Sequence, residues 1–232
     1  HLSTGNYHST TATQYTDYGL LSSEPGITED VHLVFQQLTG MGKFTGLHYL
    51  LQAPFTLHKT LMELIEDSIA IAEKGMPAKI IFKVNALTEI QIIQALYRAS
   101  QAGVKIQLIV RSLCCLRPGI PDVSENIEVY SIIGRFLEHH RIFYFEQEGK
   151  DILYLSSADL MERNCFHRVE TAFPILNKKL INRIKYESLQ LLLEDNCQRW
   201  QLLPNGEYQL LSPGKDSPPI CAQRILLEEL AI

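Results

Sequence analysis

Disulfides, metal cages and membrane spans all find little material in this sequence of 232 residues. Its five cysteines, Cys114, Cys115, Cys165, Cys197 and Cys221, form no C-x-x-C pair, and the adjacent Cys114 and Cys115 are poorly placed to bond each other. That pattern favours reduced thiols and a cytoplasmic setting. His32, His48, His58 and His167 lack the spacing of zinc ligands. No apolar run is long enough to cross a bilayer, so no membrane span is expected. Positive charge is also short. With 21 Lys and Arg against 26 Asp and Glu, the formal charge is −5, which argues against a protein that coats nucleic acid. An anionic small substrate is not excluded, because the few charges lining a cleft set its field and distant ones are screened within about 10 Å. The sequence opens on His1 with no initiator methionine and a motif already under way, so a longer parent is expected.

What is present is the alternating pattern of an α/β protein. Residues 1 to 20 are polar and rich in Thr and Tyr, and a helix is predicted from Thr28 to about Thr39, with Glu29 and Asp30 favouring its N-terminal dipole. A Gly-rich break, "TGMGKFTG", precedes a domain boundary placed near residue 50. A long amphipathic helix from Thr56 ends at Gly75. "AKIIFKV", a helix opened by a Thr88-to-Gln91 capping box, and "VKIQLIV" then form a βαβ unit with parallel strands. "IEVYSII", "RIFYF", "DILYLSS" and "HRVETAFPIL" are further strands, followed by a helix from Asn177. Asn205-Gly206 between alternating apolar residues marks a hairpin, and "SPGKDSPP" is a connector to a short last helix.

Chemistry concentrates where "IFYF" opens on His139, His140 and Arg141. Residues two apart on a strand share a face, so His139 and Arg141 project together. Such a pair suits phosphate: the guanidinium is a fixed cation with forked donors, and an imidazole can attack phosphorus or pass a proton near neutral pH. Ser156, Ser157 and Asp159 would sit beside the histidine if their strand forms a hairpin with it, and Glu146 could orient a neighbour. A strand end capped at the surface explains the same residues, and spacing alone leaves both readings open. Ser3, Thr4 and Asn6 of "HLSTGNY" echo "LSSAD", which suggests the second half of a repeat whose own His-x-Lys/Arg strand would precede residue 1.

Two halves that share one site resemble the phospholipase D-like superfamily. More specifically, "HLSTGNY", "YTDYGLL", "ALYRASQAGVKIQLIVRSLCCLRPG", "SENIEVYSIIGRFLEHHRI" and "YLSSADLMERN" resemble the C-terminal half of the bacterial polyphosphate kinase family, from His1 to about Trp200. The resemblance implies a phospholipase D-like mixed sheet flanked by helices, with residues 1–49 the tail of a first catalytic domain and 50–232 a complete second one. It implies reversible transfer of the ATP γ-phosphate to polyphosphate through a phosphohistidine that would lie upstream, with Mg²⁺ ligands also upstream of residue 1. The implied partners are ATP or ADP, polyphosphate, the upstream domains and further copies of the chain, and the fragment alone is expected to be inactive. In residue terms, Tyr15 packs on the nucleotide, Arg111 binds phosphate, and His139 is the second essential histidine, a general acid or electrostatic stabiliser.

Independent reading agrees on Arg111, which closes a parallel strand at the edge where open α/β sheets place ligands. His1 and Asn6 become candidate lining groups, Lys83 and Arg141 candidates for the polyphosphate path, and Asp17 a support for Tyr15 or the nucleotide; His140 is given no role. Thr13 and Leu160 depart from an arginine and a tryptophan common in the family. A phospholipase D-like phosphodiesterase and a non-enzymatic polyphosphate-binding module are the alternatives.

Overall fold

The computed structural model describes residues 1–42, 46–214 and 217–231; parts of the Gly-rich break and of the "SPGKDSPP" connector lie outside them. The N-terminal segment contains β1 (Leu2–Ser3), α1 (Ser9–Gln14), β2 (Tyr15–Thr16), β3 (Gly19–Leu20) and α2 (Pro25–Leu38). There follow β4 (Leu51–Ala53), α3 (Leu57–Glu73), β5 (Ala78–Val84), α4 (Ile90–Gln101), β6 (Lys105–Val110) and β7 (Ile127–Ile132). After a two-residue β8 (Leu137–Glu138) come β9 (Arg141–Gln147), β10 (Lys150–Ser156), α5 (Glu162–Phe166) and β11 (Glu170–Pro174). The chain closes with α6 (Lys178–Lys185), a π-helical turn at 186–190, α7 (Leu191–Glu194), β12 (Arg199–Leu202), β13 (Tyr208–Leu210) and α8 (Ala222–Leu230).

Among the described residues the main sheet has the order β13-β12-β7-β6-β5-β9-β10-β11-β4. Its centre, β5, β6 and β7, is parallel, as the βαβ pattern predicts, and β9 joins β5 antiparallel. Both faces are covered, which is why Ile80–Phe82 and Leu108–Val110 run apolar and buried without alternation. Ile80, Phe82 and Val84 of β5 pack with Leu57, Leu61 and Ile65 of α3 and Ile92 and Leu96 of α4. Ile81, with Ile142 and Tyr144 of β9, packs on the other side among Ile184, Leu189, Leu192 and Ala222. The sheet is therefore the mixed, helix-flanked one expected.

The turns follow their residues. Gly75 ends α3 with φ 76°, and the β12–β13 hairpin turns through Gly206 at φ 92°, a left-handed conformation that glycine adopts without strain.

Two local expectations fail for identifiable reasons. The helix predicted from Thr28 begins at Pro25, whose fixed φ suits a first turn. Asp30 does not serve the dipole: fully buried, it accepts hydrogen bonds from the backbone N–H groups of His48, Tyr49 and Leu50 at 2.6–2.9 Å. The cap of α4 is Glu89, not a Thr88–Gln91 box, because the Glu89 carboxylate itself accepts from the N–H groups of Gln91 and Ile92 at 3.0 and 2.7 Å. A charged acceptor at a helix N-terminus outcompetes a hydroxyl one residue earlier.

Candidate functional site

Four strand ends meet at one edge of the sheet. The C-terminal ends of the parallel β5 and β6 deliver Asn85 and Arg111, and antiparallel β9 starts at that edge with Arg141, whose register partner on β10 is Ser156. Asp159 follows β10, and the short β8 brings His139 in just ahead of β9. The N-terminal segment completes the wall, since β2 pairs in parallel with β8, Tyr15 opposite Leu137 and Thr16 opposite Glu138. The resulting cavity of about 370 Å³ is lined by Tyr15, Asn85, Arg111, His139, Arg141 and Asp159, among others.

The cations are held in place. Arg141 is buried and makes a two-pronged pair with Asp159, Nε and Nη2 each 3.1 Å from a carboxylate oxygen. Asp159 also accepts from the backbone N–H of Asn85 at 2.8 Å, and Asn85 accepts from Arg111 Nε at 3.0 Å. Two guanidiniums are thus anchored to one scaffold. Burial, and after it the charge of Arg141, pulls Arg111 below its ordinary range; an arginine nevertheless stays charged. Positive charge confined at a strand-end cavity favours an anion.

His139 is gripped on both nitrogens. Asp17 lies 2.9 Å from Nδ1, and Arg141 Nη1 is 3.1 Å from Nε2. An acceptor on one side and a donor on the other select the tautomer with the proton on Nδ1 and a lone pair on Nε2. Burial opposes the charge of Asp17, but the hydrogen bonds from His139 and from Thr4 Oγ1, the latter at 2.7 Å, outweigh it and hold the carboxyl below the usual range. The Tyr15 ring stacks beside the imidazole, centroids 4.9 Å apart and tilted by 41°.

Tyr15, Arg111 and His139 therefore face one cavity, joined there by Arg141. Other expectations change. Asp17 supports His139, not Tyr15. Lys83 cannot lie on an open polyphosphate path or at an exposed strand end: it is 2 % exposed, pairs with Glu138 at 3.1 Å and donates to the His140 carbonyl at 3.2 Å. It falls on the Ile81 side of β5, beneath the second helical layer, so the apolar run around it continues into the core. Ser156 and Ser157 turn toward β11, donating to the Thr171 carbonyl and to Glu170. Glu146 sits at the far end of β9, where it accepts from the Tyr144 hydroxyl at 3.2 Å. His1 contacts Tyr7, with Nε2 2.5 Å from the hydroxyl, and Asn6 lines a neighbouring cavity that shares Tyr15 with this one. His140 is buried beneath the site; burial first, then the charge of Lys83, depresses it to about 3, so it is neutral.

Asn85 and Arg163 escaped sequence reasoning. For Asn85 the signal existed: it follows a parallel strand at the same edge that singled out Arg111. Arg163 lies on a five-residue helix whose approach to the cavity has no local signature.

A second cavity of about 410 Å³ shares Tyr15 but is walled by Phe136, Leu226, Leu227 and Leu230 and has no lysine or arginine in its lining. It does not suit a polyanion.

Comparison with known proteins gives the family of the chain and of its fold. A family model described as polyphosphate kinase C-terminal domain 2 matches residues 50–223, and one described as polyphosphate kinase C-terminal domain 1 matches residues 1–44. The polyphosphate kinase of Pseudomonas aeruginosa is 56% identical over 231 residues, which is 100% of this chain and 33% of that protein. That of Pseudomonas putida is 54% identical over 231 residues, 100% of this chain and 32% of that protein. The crystal structure of polyphosphate kinase from Porphyromonas gingivalis superposes with a TM-score of 0.94 at 36% identity, covering 99% of this chain and 35% of that one. The chain spans about a third of the relatives it matches. In sequence and in fold alike, it belongs to the polyphosphate kinase family.

Proposed function

We propose that these residues form one wall of the active site of an ATP–polyphosphate phosphotransferase, with residues 1–49 closing a first catalytic domain and 50–232 forming a second. The phosphate-accepting histidine would come from upstream sequence. The observation that carries this reading is the meeting of Arg111, Arg141 and His139 in one strand-end cavity, two guanidiniums and an imidazole on a rigid scaffold.

Charge moves onto the phosphoryl and leaving oxygens during transfer, so fixed cations assist most if they need not reorganise. Arg141, locked by Asp159, and Arg111, hung from Asn85, are such cations. The His139 Nε2 lone pair accepts from Arg141 Nη1 while Asp17 backs Nδ1, so Nε2 would open to a proton only as that guanidinium N–H turns to a bound phosphoryl oxygen. On taking a proton at Nε2 the imidazole becomes a donor to a phosphoryl oxygen, and Asp17 stabilises the cation that results. Tyr15 offers a flat face next to that point for the base or ribose of a nucleotide.

Mg²⁺ would neutralise the phosphates of ATP, but the described residues do not fit a site for it: both oxygens of Asp159 face Arg141, and Asp17 is committed to His139 and Thr4. Ligands for the metal would therefore come from upstream sequence. A cytoplasmic enzyme assembled from several copies completes the proposal; no described helix is long and apolar enough to cross a membrane.

Purified protein carrying these residues within its parent chain, given ATP, Mg²⁺ and polyphosphate, should lengthen the polymer, and His139→Ala should cut that rate by about a hundredfold or more. Turnover that survives the substitution, or hydrolysis of a phosphodiester instead, would overturn the reading.

A further inference from the structure

His139 sits near the end of the connection between β7 and β9, residues 133–140 with the short β8 in it, whose far side is held by α8. Gln223, in the first turn of α8 and 4 % exposed, points its carboxamide into this loop. Its Oε1 accepts from the backbone N–H of Phe136 at 2.9 Å, and its Nε2 donates to the Phe136 carbonyl at 2.9 Å and to Glu138 Oε1 at 2.7 Å. The amide thus bridges both backbone groups of one residue and the side chain adjacent to the histidine.

Two further features serve the same contact. A Cβ on Gly134 would lie 2.4 Å from Gln223 Oε1 and 2.6 Å from Gln198 Oε1, so an alanine there would force these carboxamide ends to shift. The start of α8 is itself tied down, because Asp195, fully buried, accepts from the N–H groups of Ala222, Cys197 and Gln198 at 2.8, 2.8 and 2.6 Å. On the opposite side of the loop Thr16 Oγ1 donates to Glu138 Oε2 at 3.1 Å, and His139 N–H donates to Thr16 Oγ1 at 3.3 Å. The loop is held between the two ends of the chain.

We propose that Gln223 is a positioning residue for His139: its carboxamide fixes Phe136 and Glu138 so that the imidazole stays aligned with Asp17 and Arg141. The catalytic consequence rests on the function proposed above. Buried hydrogen bonds that hold a loop set how often it opens, and an ionised acid in place of a buried amide with both ends engaged sets acceptor against acceptor at Phe136 O and Glu138.

Three variants test this in the protein that carries these residues. Gln223→Glu keeps the shape but turns an oxygen toward Phe136 O and Glu138, Gly134→Ala expels the amide from the loop side, and Leu226→Ala weakens the packing of α8 without touching the contact. Amide hydrogen exchange at 136–140 should accelerate about tenfold or more in the first two, and the His139 imidazole resonances should move. Phosphotransfer kcat should fall about ten- to a hundredfold in these variants, with KM for ATP within about threefold. Leu226→Ala should leave all of these near wild type. Unchanged exchange at 136–140, or an equal loss in Leu226→Ala, would overturn the inference. If the wild-type protein moves no phosphate from ATP, the functional proposal fails, while exchange and the His139 resonances still decide this one.

Discussion

Replacing Lys83 by methionine removes a buried ammonium while keeping the length of the chain that fills its slot. Glu138, 4 % exposed and 3.1 Å from Lys83, is then left with hydrogen-bond donors but no cation. In the wild-type protein burial opposes its charge, yet Lys83 first, with the hydrogen bond from Gln223, holds the carboxyl below the usual range. Without Lys83 the cheapest relief is to take up a proton. At pH 7 that costs a carboxyl of ordinary pKa about 2.7 units, or about 3.7 kcal/mol, which caps the penalty. Removing Lys83 also relieves the burial that depresses its own ammonium, so the loss at pH 7 is expected at up to about 3.7 kcal/mol, or up to about 7–15 °C in Tm for a chain of this size.

The same reasoning sets the pH dependence. In the variant the folded chain binds a proton that the unfolded chain does not, so its stability rises as pH falls, and the gap to wild type should shrink to about 1 kcal/mol at pH 5. Adding Glu138→Gln, which keeps an acceptor for Gln223 and has no charge to strand, should restore most of the loss at pH 7. Denaturant melts at both pH values decide the matter. A loss below about 1 kcal/mol at pH 7, or a gap that widens toward pH 5, would refute a buried pair and return Lys83 to a ligand-facing role.

Three other outcomes follow from the geometry. Arg111→Ala should weaken ATP binding about ten- to a hundredfold by titration calorimetry with little change in Tm, since the guanidinium makes one described side-chain bond, to Asn85; a change below about twofold would remove Arg111 from the nucleotide site. Asp30→Ala strands three backbone N–H groups and should cost about 3 kcal/mol or more, with faster exchange at His48, Tyr49 and Leu50; unchanged exchange there would count against the assignment. His140, depressed to about 3, should show no NMR titration near pH 6.5. Because the unfolded chain gains that proton first, stability should decline as pH falls from about 6.5 toward 3; an imidazole that titrates normally would show that it is not buried.

Much of the architecture is legible because it depends on local pattern. Runs such as 80–82 and 108–110 are apolar on both faces, as strands sandwiched between helices require, and Gly75 and Asn205-Gly206 mark turns by their own backbone freedom. Arg111 was recognisable since its position at the end of a parallel strand is a sequence property. The capping of α4 and the role of Asp30 were misjudged where several polar residues compete for the same N–H groups and three-dimensional reach decides among them.

By itself, then, the sequence determined the order of elements, the α/β class, the family and the residue types gathered around His139. Which partner each charge takes was decided only in the folded molecule. Asp17 reaches His139 across 122 positions and Gln223 reaches Glu138 across 85, and Lys83, which reads as one more strand residue, lies beneath a helical layer contributed by the chain's C-terminal third. Such contacts depend on the stacking of strands and helices distant in sequence, and a short-range electrostatic or hydrogen-bonding preference has no means of encoding a partner that arrives only when the sheet closes.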